Sequence, residues 1–488
     1  MSFSKFSSRG EIAMEKWSSK FGFILAAVGS AVGIGNIWRF SSVVGQNGGG
    51  AYLIPYLIAV FLFALPLMIL ELAVGRHFQG NVVSSFGKVK KKFRFFGWII
   101  CAIVFVILSY YLVITGWTLG YLISSLTNSG TTFSEFTSTP QPLIYFFITV
   151  IITGFIVSFG VKKGIERISS LLMPFAFLLL IALAVFCTTL SGFGEGINFL
   201  FNPDFSVLSN PMIWGAAFGQ AFFSLSVGFG VLLTYGGYLE KNTNIVHSSL
   251  IITIADLSVA FLAGMIIFPI VFTFGLTPGM GAELAFTTLP IAFDILAYGQ
   301  LLAIAFFLLL FFAALTSSIG MLEVSIAAVM EKFSFSRRKT SIILTLLLLI
   351  VGLPAALSYS SVNLSVFGVK VLDFLDETLG TIGLPITALL TTIVFTWFLQ
   401  KKIFAEELQE SKRWASLVLY TTKYVIPVIL IVTTLFQLLL NIDFAGWGLM
   451  RGKRVIRDLA SSAVAIVLLG TILGILLFIK QSLRRFRE

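Results

Sequence analysis

The chain has 488 residues, of which 57% are hydrophobic and only 11% are charged. Soluble proteins carry about 25% charged residues, so this composition predicts a polytopic membrane protein and argues against a soluble enzyme. The formal net charge of +11 does not indicate a nucleic-acid partner, because the lysines and arginines cluster in alternate loops, as orientation in a lipid bilayer requires. Two cysteines and two histidines predict neither a disulfide framework nor a metal enzyme.

The first apolar run is interrupted at its centre by a glycine-rich segment. Gly29, Gly33, Gly35 and Asn36 follow closely on one another, and each glycine lowers helix propensity by about 1 kcal/mol. Backbone in lipid must satisfy its own polar groups, so an unwound segment is tolerated only where it lines a cavity. Its carbonyls can then bind a cation. The Gly29–Gly33 spacing alone would favour close helix packing, whereas Asn36 favours an ion-binding break.

Twelve apolar runs of about 20 residues or more follow one another along the chain. They lie near residues 21–42, 51–75, 96–125, 143–160, 168–190, 211–239, 248–275, 299–331, 341–359, 371–400, 415–440 and 459–481. Segments 126–142, 191–210 and 276–298 contain no Lys or Arg, which predicts that they are extracellular and that both termini are cytoplasmic. The basic residues at 451–457 are an exception. We therefore predict a multi-pass protein of the plasma membrane.

The sixth run repeats the interruption of the first. Residues 224–230 again place two serines and two glycines at the centre of an apolar run. Two interrupted runs five positions apart predict two five-helix repeats, over about 21–190 and 211–400, followed by helices 11 and 12 over about 415–481. An odd number of helices per repeat inverts the second repeat relative to the first. An all-α membrane protein with inverted repeats and broken helices 1 and 6 is typical of LeuT-type secondary transporters.

Two polar features inside apolar runs allow two interpretations each. Asp256 lies in a run, 248–274, that is otherwise free of charge. An ionisable group at that depth costs at least about 2.5 kcal/mol, so Asp256 is either functional or a protonated carboxyl bonded to a neighbouring helix. The hydroxyls of residues 316–318 either bond back to carbonyls one turn earlier or point toward an ion.

Short motifs recur along the chain in a fixed order. They are residues 31–40 (AVGIGNIWRF), 47–52 (NGGGAY), Glu71 with 75–76, 110–111, 117–120, 163–167, Gln220, 222–223, 225–226, 228–230 and 316–318. In these motifs the chain resembles the neurotransmitter:sodium symporter family, on its prokaryotic amino-acid transporter branch. The resemblance runs from about Trp17 through the tenth run. It implies a sodium-coupled amino-acid symporter in the lipid bilayer, and not an enzyme.

The resemblance implies two sodium sites built from oxygen ligands, which suit a hard cation. The first would comprise the Ala31 carbonyl, the Asn36 amide, Ser224 and Asp256, completed by the substrate carboxylate. The second would comprise the carbonyls of Gly29, Val32 and Ala313 with the hydroxyls of Thr316 and Ser317.

The anion requirement is predicted from two positions in the seventh run. Chloride-dependent relatives generally carry a neutral asparagine at position 256 and a chloride-binding serine at position 260. This chain has Asp256 and Ala260 there. Fixed negative charge beside the first sodium predicts transport that does not depend on chloride.

The resemblance also implies a substrate pocket and two gates. The pocket would be lined by Ala31, Gly33, Ile34, Gly35, Ile107, Tyr111, Phe223, Ser226, Phe229, Ser317 and Met321. The outer gate would comprise Arg39, Gln220 and Asp376, and the inner gate Trp17, Tyr238 and Glu331. Met14 replaces the customary arginine of the inner gate, so either Lys16 or Arg9 substitutes for it or the inner gate lacks its ion pair. Glu71 is expected to support unwound backbone, and Glu323 to line a water-filled inner pathway.

Gly33 favours an α-amino acid as substrate, because monoamine carriers place an aspartate there to replace the missing carboxylate. The apolar pocket lining predicts a hydrophobic side chain. A non-transporting amino-acid sensor on the same fold, or an ion channel with exposed carbonyls, are the alternatives. The sequence leaves open which amino acid is bound, the ion stoichiometry and the oligomeric state.

Overall fold

The computed structural model describes residues 15–130, 132–203, 205–209, 211–276, 284–408 and 412–441, most of them in helices. Within these ranges, nine helices are long and apolar enough to cross a membrane, and one further pair is bent by 55° at a short break. We number the crossings spans 1 to 11, counting a second broken helix as span 6. They are Lys20–Ala31 with Gly35–Gln46, Gly50–Phe78, Lys91–Thr127, Gln141–Ser158, Val161–Cys187, Pro211–Ser224 with Val231–Gly237, Ile245–Thr273, Gly299–Phe333, Arg337–Ser358, Val371–Trp397 and Ala415–Leu435.

Most predicted spans agree with the observed helices within a few residues. Span 5 is the exception, since it begins at Val161 and not near residue 168. A π-helical turn over Val161–Glu166 continues directly into the helix Arg167–Cys187 and lengthens the span. The twelfth predicted span, at 459–481, and the basic residues at 451–457 lie outside the described residues.

Span 1 breaks inside the glycine-rich segment, as predicted. Its first half begins after the N-cap residue Ser19 and ends at Val32, whose backbone is extended with φ −72° and ψ 107°. The second half resumes as a π-helical turn, Gly35–Arg39, followed by the helix Phe40–Gln46. Backbone groups at the ends of both halves therefore need partners from elsewhere in the protein.

Span 6 is also broken, between Pro211–Ser224 and Val231–Gly237. The linking backbone turns through the left-handed region at Ser226 (φ 51°) and Gly228 (φ 86°). The backbone N–H of Gly228 donates a hydrogen bond of 2.8 Å to Glu71 Oε1 of span 2. Glu71 thus supports unwound backbone in the way the resemblance implies.

The two broken spans lie against a central helix pair. Spans 3 and 8 pack along each other and both contact span 4, while span 1 and the second half of span 6 contact span 8. Spans 4, 5 and 9 expose large apolar side chains at their outer faces, where Phe155, Leu178 and Ile350 are 63%, 65% and 68% exposed. Apolar surface of this extent is expected to face lipid.

Short elements connect the spans. They are the helices Val82–Val89, Phe133–Ser138, Phe193–Phe201, Leu289–Ile295 and Lys401–Glu407, the π-helical turn Leu284–Thr288, and the antiparallel strands β1 (Ser365–Val366) and β2 (Val369–Lys370). The continuous segment 284–295 packs against the start of span 8.

Candidate functional site

The two helix breaks face each other and enclose a narrow cavity between spans 3 and 8. Its volume of about 20 Å³ is close to the space that one water molecule needs. It is lined by Ser30, Ala31, Gly33, Gly35, Asn36, Ile107, Tyr111, Phe223, Ser226, Phe229, Ser317 and Met321. Every predicted pocket residue except Ile34 is in this lining, and the backbone N–H of Ile34 donates to the Tyr111 hydroxyl at 3.2 Å. Ser30 was not selected from the sequence.

Asn36 is the centre of a hydrogen-bond network that joins spans 1, 6 and 7. Its amide Nδ2 donates to Ser224 Oγ at 2.8 Å and to Asp256 Oδ1 at 2.6 Å. Its Oδ1 accepts from the backbone N–H of Gly33 at 3.0 Å, which satisfies a donor freed by the break. The Ser224 hydroxyl donates to the second carboxylate oxygen of Asp256 at 2.8 Å. Three residues predicted for the first sodium site thus form one connected, buried set, and Ala31 lies beside them in the cavity wall.

Ser317 of span 8 reaches across to the break in span 1. Its Oγ lies 3.2–3.3 Å from three carbonyl oxygens of that break, those of Gly29, Ser30 and Val32. The neighbouring hydroxyls of Thr316 and Ser318 each bond back to the carbonyl four residues earlier, at 2.9 Å. Thr316 Oγ1 also lies 3.1 Å from the Ala313 carbonyl. The hydroxyls of Thr316 and Ser318 thus bond back along their own helix, whereas the Ser317 hydroxyl bonds to the break in span 1.

Glycine is required where other side chains approach the break. A Cβ added at Gly33 would lie 2.8 Å from both Ser317 Oγ and the Tyr111 hydroxyl. A Cβ added at Gly35 would lie 2.5 Å from the Phe223 ring. Both distances are shorter than van der Waals contact. Larger residues at these positions would displace the polar and aromatic groups that surround the broken backbone.

The predicted outer-gate residues lie near one another without forming the expected ion pair. The guanidinium of Arg39 sits over the Phe223 ring, 4.5 Å from its centroid, and Asp376 Oδ1 accepts from the Tyr110 hydroxyl at 2.9 Å. Gln220 donates to the Gly35 carbonyl at 3.0 Å. Among the described residues, the ion pairs within 4.0 Å do not include Arg39 with Asp376.

On the side of the cavity that carries residue 15, called the inner side here, the chain forms an ionic cluster in which Glu323 is buried and Glu15 is exposed. Arg337 lies 2.7 Å from Glu323 Oε1 and 3.2 Å from Glu15. The Tyr238 hydroxyl donates to Glu323 at 2.5 Å. Trp17 lies on the same side and is held there by a hydrogen bond from its indole N–H to the Tyr235 carbonyl at 3.1 Å. Glu323 is 0% exposed, so the expectation that it lines a water-filled pathway is wrong in this structure.

Glu331 has a different partner from the one that its gate position suggests. Its carboxylate accepts from the Asn81 amide at 2.5 Å. Lys16 is exposed, while Met14 and Arg9 lie outside the described residues. The cation that pairs with Glu323 on this side is Arg337, which the sequence analysis did not select as a gate residue.

Comparison with known proteins then identifies the family. The family model described as the sodium:neurotransmitter symporter family matches residues 14–132 and 130–447. This chain belongs to that family. The uncharacterized sodium-dependent transporter YhdH of Bacillus subtilis is 36% identical over 437 residues, covering 86% of this chain and 97% of YhdH. An uncharacterized sodium-dependent transporter of Haemophilus influenzae is 35% identical over 445 residues, covering 86% of this chain and 97% of its own length.

A solved structure supports the same assignment. The crystal structure of MhsT in complex with L-phenylalanine matches with a TM-score of 0.80 and 38% identity, covering 86% of this chain and 99% of MhsT. The predicted LeuT-type fold of an all-α membrane protein is thereby confirmed. Membership of the family also makes the chain a sodium-dependent transporter and not an enzyme.

We expect the inner ionic cluster to hold the inner side closed. In the variant Glu323→Gln the Arg337 cation, 12% exposed, loses its buried partner and keeps only the exposed Glu15, which costs at most about 3–5 kcal/mol, the value for a buried charge left without any partner. Tyr238→Phe removes one hydrogen bond, worth about 1 kcal/mol, and leaves the ion pair intact. Hydrogen-exchange mass spectrometry of residues 20–31 should therefore show much faster exchange in Glu323→Gln than in Tyr238→Phe. Equal exchange in both variants would contradict this role.

Proposed function

We propose that the protein is a sodium-coupled symporter that imports an amino acid with a hydrophobic side chain by alternating access. The observation that carries this proposal is the buried polar cluster of Asn36, Ser224 and Asp256, which adjoins an apolar cavity at the meeting point of two broken helices. The Asn36 amide, whose nitrogen now faces Ser224 and Asp256, would turn its oxygen toward the ion. Membership of a sodium-dependent family supports the use of sodium. The number of ions, the substrate and the anion requirement are the proposed details.

A first sodium ion would replace the hydrogen bonds that now connect Asn36, Ser224 and Asp256. Carboxylate, hydroxyl and amide oxygens are suitable ligands for a hard cation. The carbonyl of Ala31 adjoins the same cavity. The substrate carboxylate would complete this shell from the cavity side, so ion and substrate share one site.

A second sodium ion would lie between the break in span 1 and span 8. The carbonyls of Gly29 and Val32 and the hydroxyl of Ser317 already converge there. Thr316 would turn its hydroxyl from its own helix toward the ion, and the Ala313 carbonyl is 3.1 Å from that hydroxyl. This ion would bind span 1 to span 8 and leave when the inner side opens.

The cavity chemistry favours a zwitterionic amino acid. Its carboxylate would lie near the first sodium and the Tyr111 hydroxyl, with Gly33 providing space that a larger side chain would fill. Apolar groups of Ile107, Phe229 and Met321 face the other end. MhsT, the structural relative, was solved with L-phenylalanine, which supports a hydrophobic side chain. Because the cavity is narrow, such a substrate requires these side chains to move apart.

Coupling would follow from the shared ligands. Sodium and substrate that complete one shell each raise the affinity of the other by the same factor. Closure of the outer side would bring Arg39 from the Phe223 ring toward Asp376. Opening of the inner side would separate Arg337 from Glu323. The ion pairs on the two sides would thus form in alternation.

Chloride independence is part of the proposal. Asp256 provides a fixed carboxylate in contact with the proposed sodium ligands Asn36 and Ser224. A bound chloride would supply the same charge in relatives that lack it. Ala260 has no hydroxyl with which to bind that anion. We also propose the plasma membrane as location, with both termini cytoplasmic.

A sensor or a channel would use the same binding chemistry without concentrating its ligand. Reconstituted protein should accumulate labelled phenylalanine, leucine or another hydrophobic amino acid against its gradient when sodium is higher outside. Potassium in place of sodium should abolish both binding and accumulation. Sodium-dependent binding without accumulation would support the sensor, and non-saturable sodium current without uptake would support the channel.

Substitution of two neighbouring serines tests the proposed second sodium site. Ser317→Ala removes the hydroxyl that faces three carbonyls, so we expect sodium affinity to fall about tenfold, which corresponds to about 1.4 kcal/mol. Ser318→Ala removes a hydroxyl that bonds back to Ala314 and should leave sodium affinity nearly unchanged. Sodium titration of amino-acid binding measures both. The proposed second site is wrong if the two variants behave alike.

The chloride prediction requires only a change of anion. Uptake by the unaltered chain should be the same in sodium chloride and sodium gluconate. The double variant Asp256→Asn with Ala260→Ser removes the fixed charge and adds a hydroxyl, so its uptake should become greater in chloride than in gluconate. Asp256→Asn alone is the matched control, and its uptake of amino acid should be weak in both salts. Loss of uptake by the unaltered chain in gluconate would overturn the argument from Asp256.

A further inference from the structure

A basic segment, residues 88–94, leads from span 2 into span 3 on the inner side of the protein. Span 1 begins on that side, so the chain has crossed twice and returned to it when span 2 ends at Phe78. The segment has the sequence KVKKKFR with five cations, and the chain contains no Asp or Glu from residue 72 to residue 134. All five cations are exposed, and the ion pairs within the described ranges include none of them. The basic segment therefore presents positive charge that no described carboxylate pairs with.

Two of these cations already have partners in the protein. Lys88 Nζ donates to the Phe78 carbonyl at 2.6 Å, which connects the basic segment to the end of span 2. Lys90 Nζ lies over the Phe398 ring, 4.4 Å from its centroid, and a cation at this distance is attracted by the negative face of the ring. These two contacts hold the segment in place and occupy two of its five cations.

The other three cations remain for a ligand. Among the described residues, Lys91 and Arg94 have neither an ion pair nor a ring contact. Lys92 Nζ lies 5.9 Å from the Phe93 centroid, near the outer limit of about 6 Å for a cation–π contact. The stem of Arg94 packs on Gly87, where an added Cβ would lie 2.6 Å from Arg94 Cγ. This packing holds the base of the side chain, while a guanidinium can bind two oxygens of one anion.

Exposed aromatic rings adjoin the basic segment. Phe95 follows it directly and is 66% exposed, and Trp397 and Phe398 at the end of span 10 are 57% and 47% exposed. The buried ring of Phe93 lies edge-on to Phe398 at 5.1 Å and joins the two groups. Aromatic side chains are enriched where a membrane meets water, because their rings sit at the level of the lipid headgroups. The free cations and the exposed rings thus form one amphipathic surface.

This combination distinguishes between anionic ligands. A soluble phosphate compound would satisfy the cations and leave the exposed rings without a partner. An acidic phospholipid supplies a phosphate for the cations and glycerol and acyl groups for the rings. Clusters of about four to eight basic residues next to a membrane span are known to bind acidic lipids. A zwitterionic phospholipid has the same phosphate, but its own amine offsets the charge.

We propose that this amphipathic surface is a binding site for an acidic phospholipid of the adjoining leaflet. Arg94 and Lys91 bind the phosphate, and Lys92 adds to the positive potential around it. The rings of Phe95 and Trp397 contact the glycerol and the upper part of the acyl chains. The surface has no residue in common with the lining of the central cavity, so lipid binding does not depend on the proposed sodium and substrate sites.

Native mass spectrometry of the purified full chain tests the proposal, because it resolves bound lipids by mass. Phosphatidylglycerol and phosphatidylcholine with the same acyl chains are titrated in ammonium acetate without sodium, so a failure of the sodium-coupled function would not affect the result. We expect saturable binding of phosphatidylglycerol, at least about tenfold tighter than that of phosphatidylcholine. Glycerol 1-phosphate should not displace it. Equal affinity for the two lipids, or displacement by glycerol 1-phosphate, would overturn the proposal.

Two matched double substitutions then locate the site. Lys91→Gln with Arg94→Gln removes two free cations of the surface and should weaken phosphatidylglycerol binding about tenfold or more. Lys162→Gln with Lys163→Gln removes two exposed cations from the inner end of span 5, where the carboxylate of Glu15 already bonds to the same turn. This control should change the affinity less than about twofold.

All four side chains are exposed, so both variants are expected to fold, and their melting temperatures check this. Phosphatidylglycerol binding that survives the loss of Lys91 and Arg94 would overturn the proposal. Equal weakening in the two variants would show a general attraction to inner charge in place of a site, and would overturn it as well.

Discussion

The structure depends on one constraint, that backbone freed by a broken helix must find polar partners inside a protein surrounded by lipid. Each break in this chain is satisfied by polar side chains, most of which come from other spans. Asn36 accepts from the N–H of Gly33, Glu71 accepts from that of Gly228, and Ser226 and Ser317 donate to carbonyls of span 1. The two broken helices are therefore connected to the rest of the protein at the breaks themselves.

The polar side chains that bond to the broken backbone also explain how a structural hydrogen-bond network could become an ion site. The hydroxyl, amide and carboxylate groups that bond to one another around Asn36 are the same groups that sodium would coordinate. Exchange of those hydrogen bonds for a cation changes the contacts between spans 1, 6 and 7 without requiring new residues. On the inner side, Arg337 and Glu323 provide a second contact, and the proposed opening of that side would separate them. Binding of the proposed sodium ion and closure of the inner side would thus involve neighbouring helices of the same protein core.

Features that depend on neighbouring residues in the chain were predicted from the sequence. Contacts between residues that are far apart in the chain were missed. Glycine in an apolar run is visible in the sequence, so the breaks were found from the residues themselves, whereas the cavity residues came from the family resemblance. Arg337 and Glu323 are 14 residues apart on successive helices, and no spacing rule indicates that they meet. Arg39 and Asp376 do not pair among the described ion pairs, and the sequence does not specify the distance between them.

The long reach of these contacts has a consequence for the synthesis of the protein. The hydroxyl that meets the carbonyl of Gly29 belongs to Ser317, 288 residues later in the chain. At about 5–20 residues per second, the ribosome adds Ser317 about 15–60 s after Gly29. For that period the nascent first helix carries open carbonyls that lipid cannot satisfy, so it must be kept near water or another protein. The part of the transporter that is made first is completed only by a helix made late.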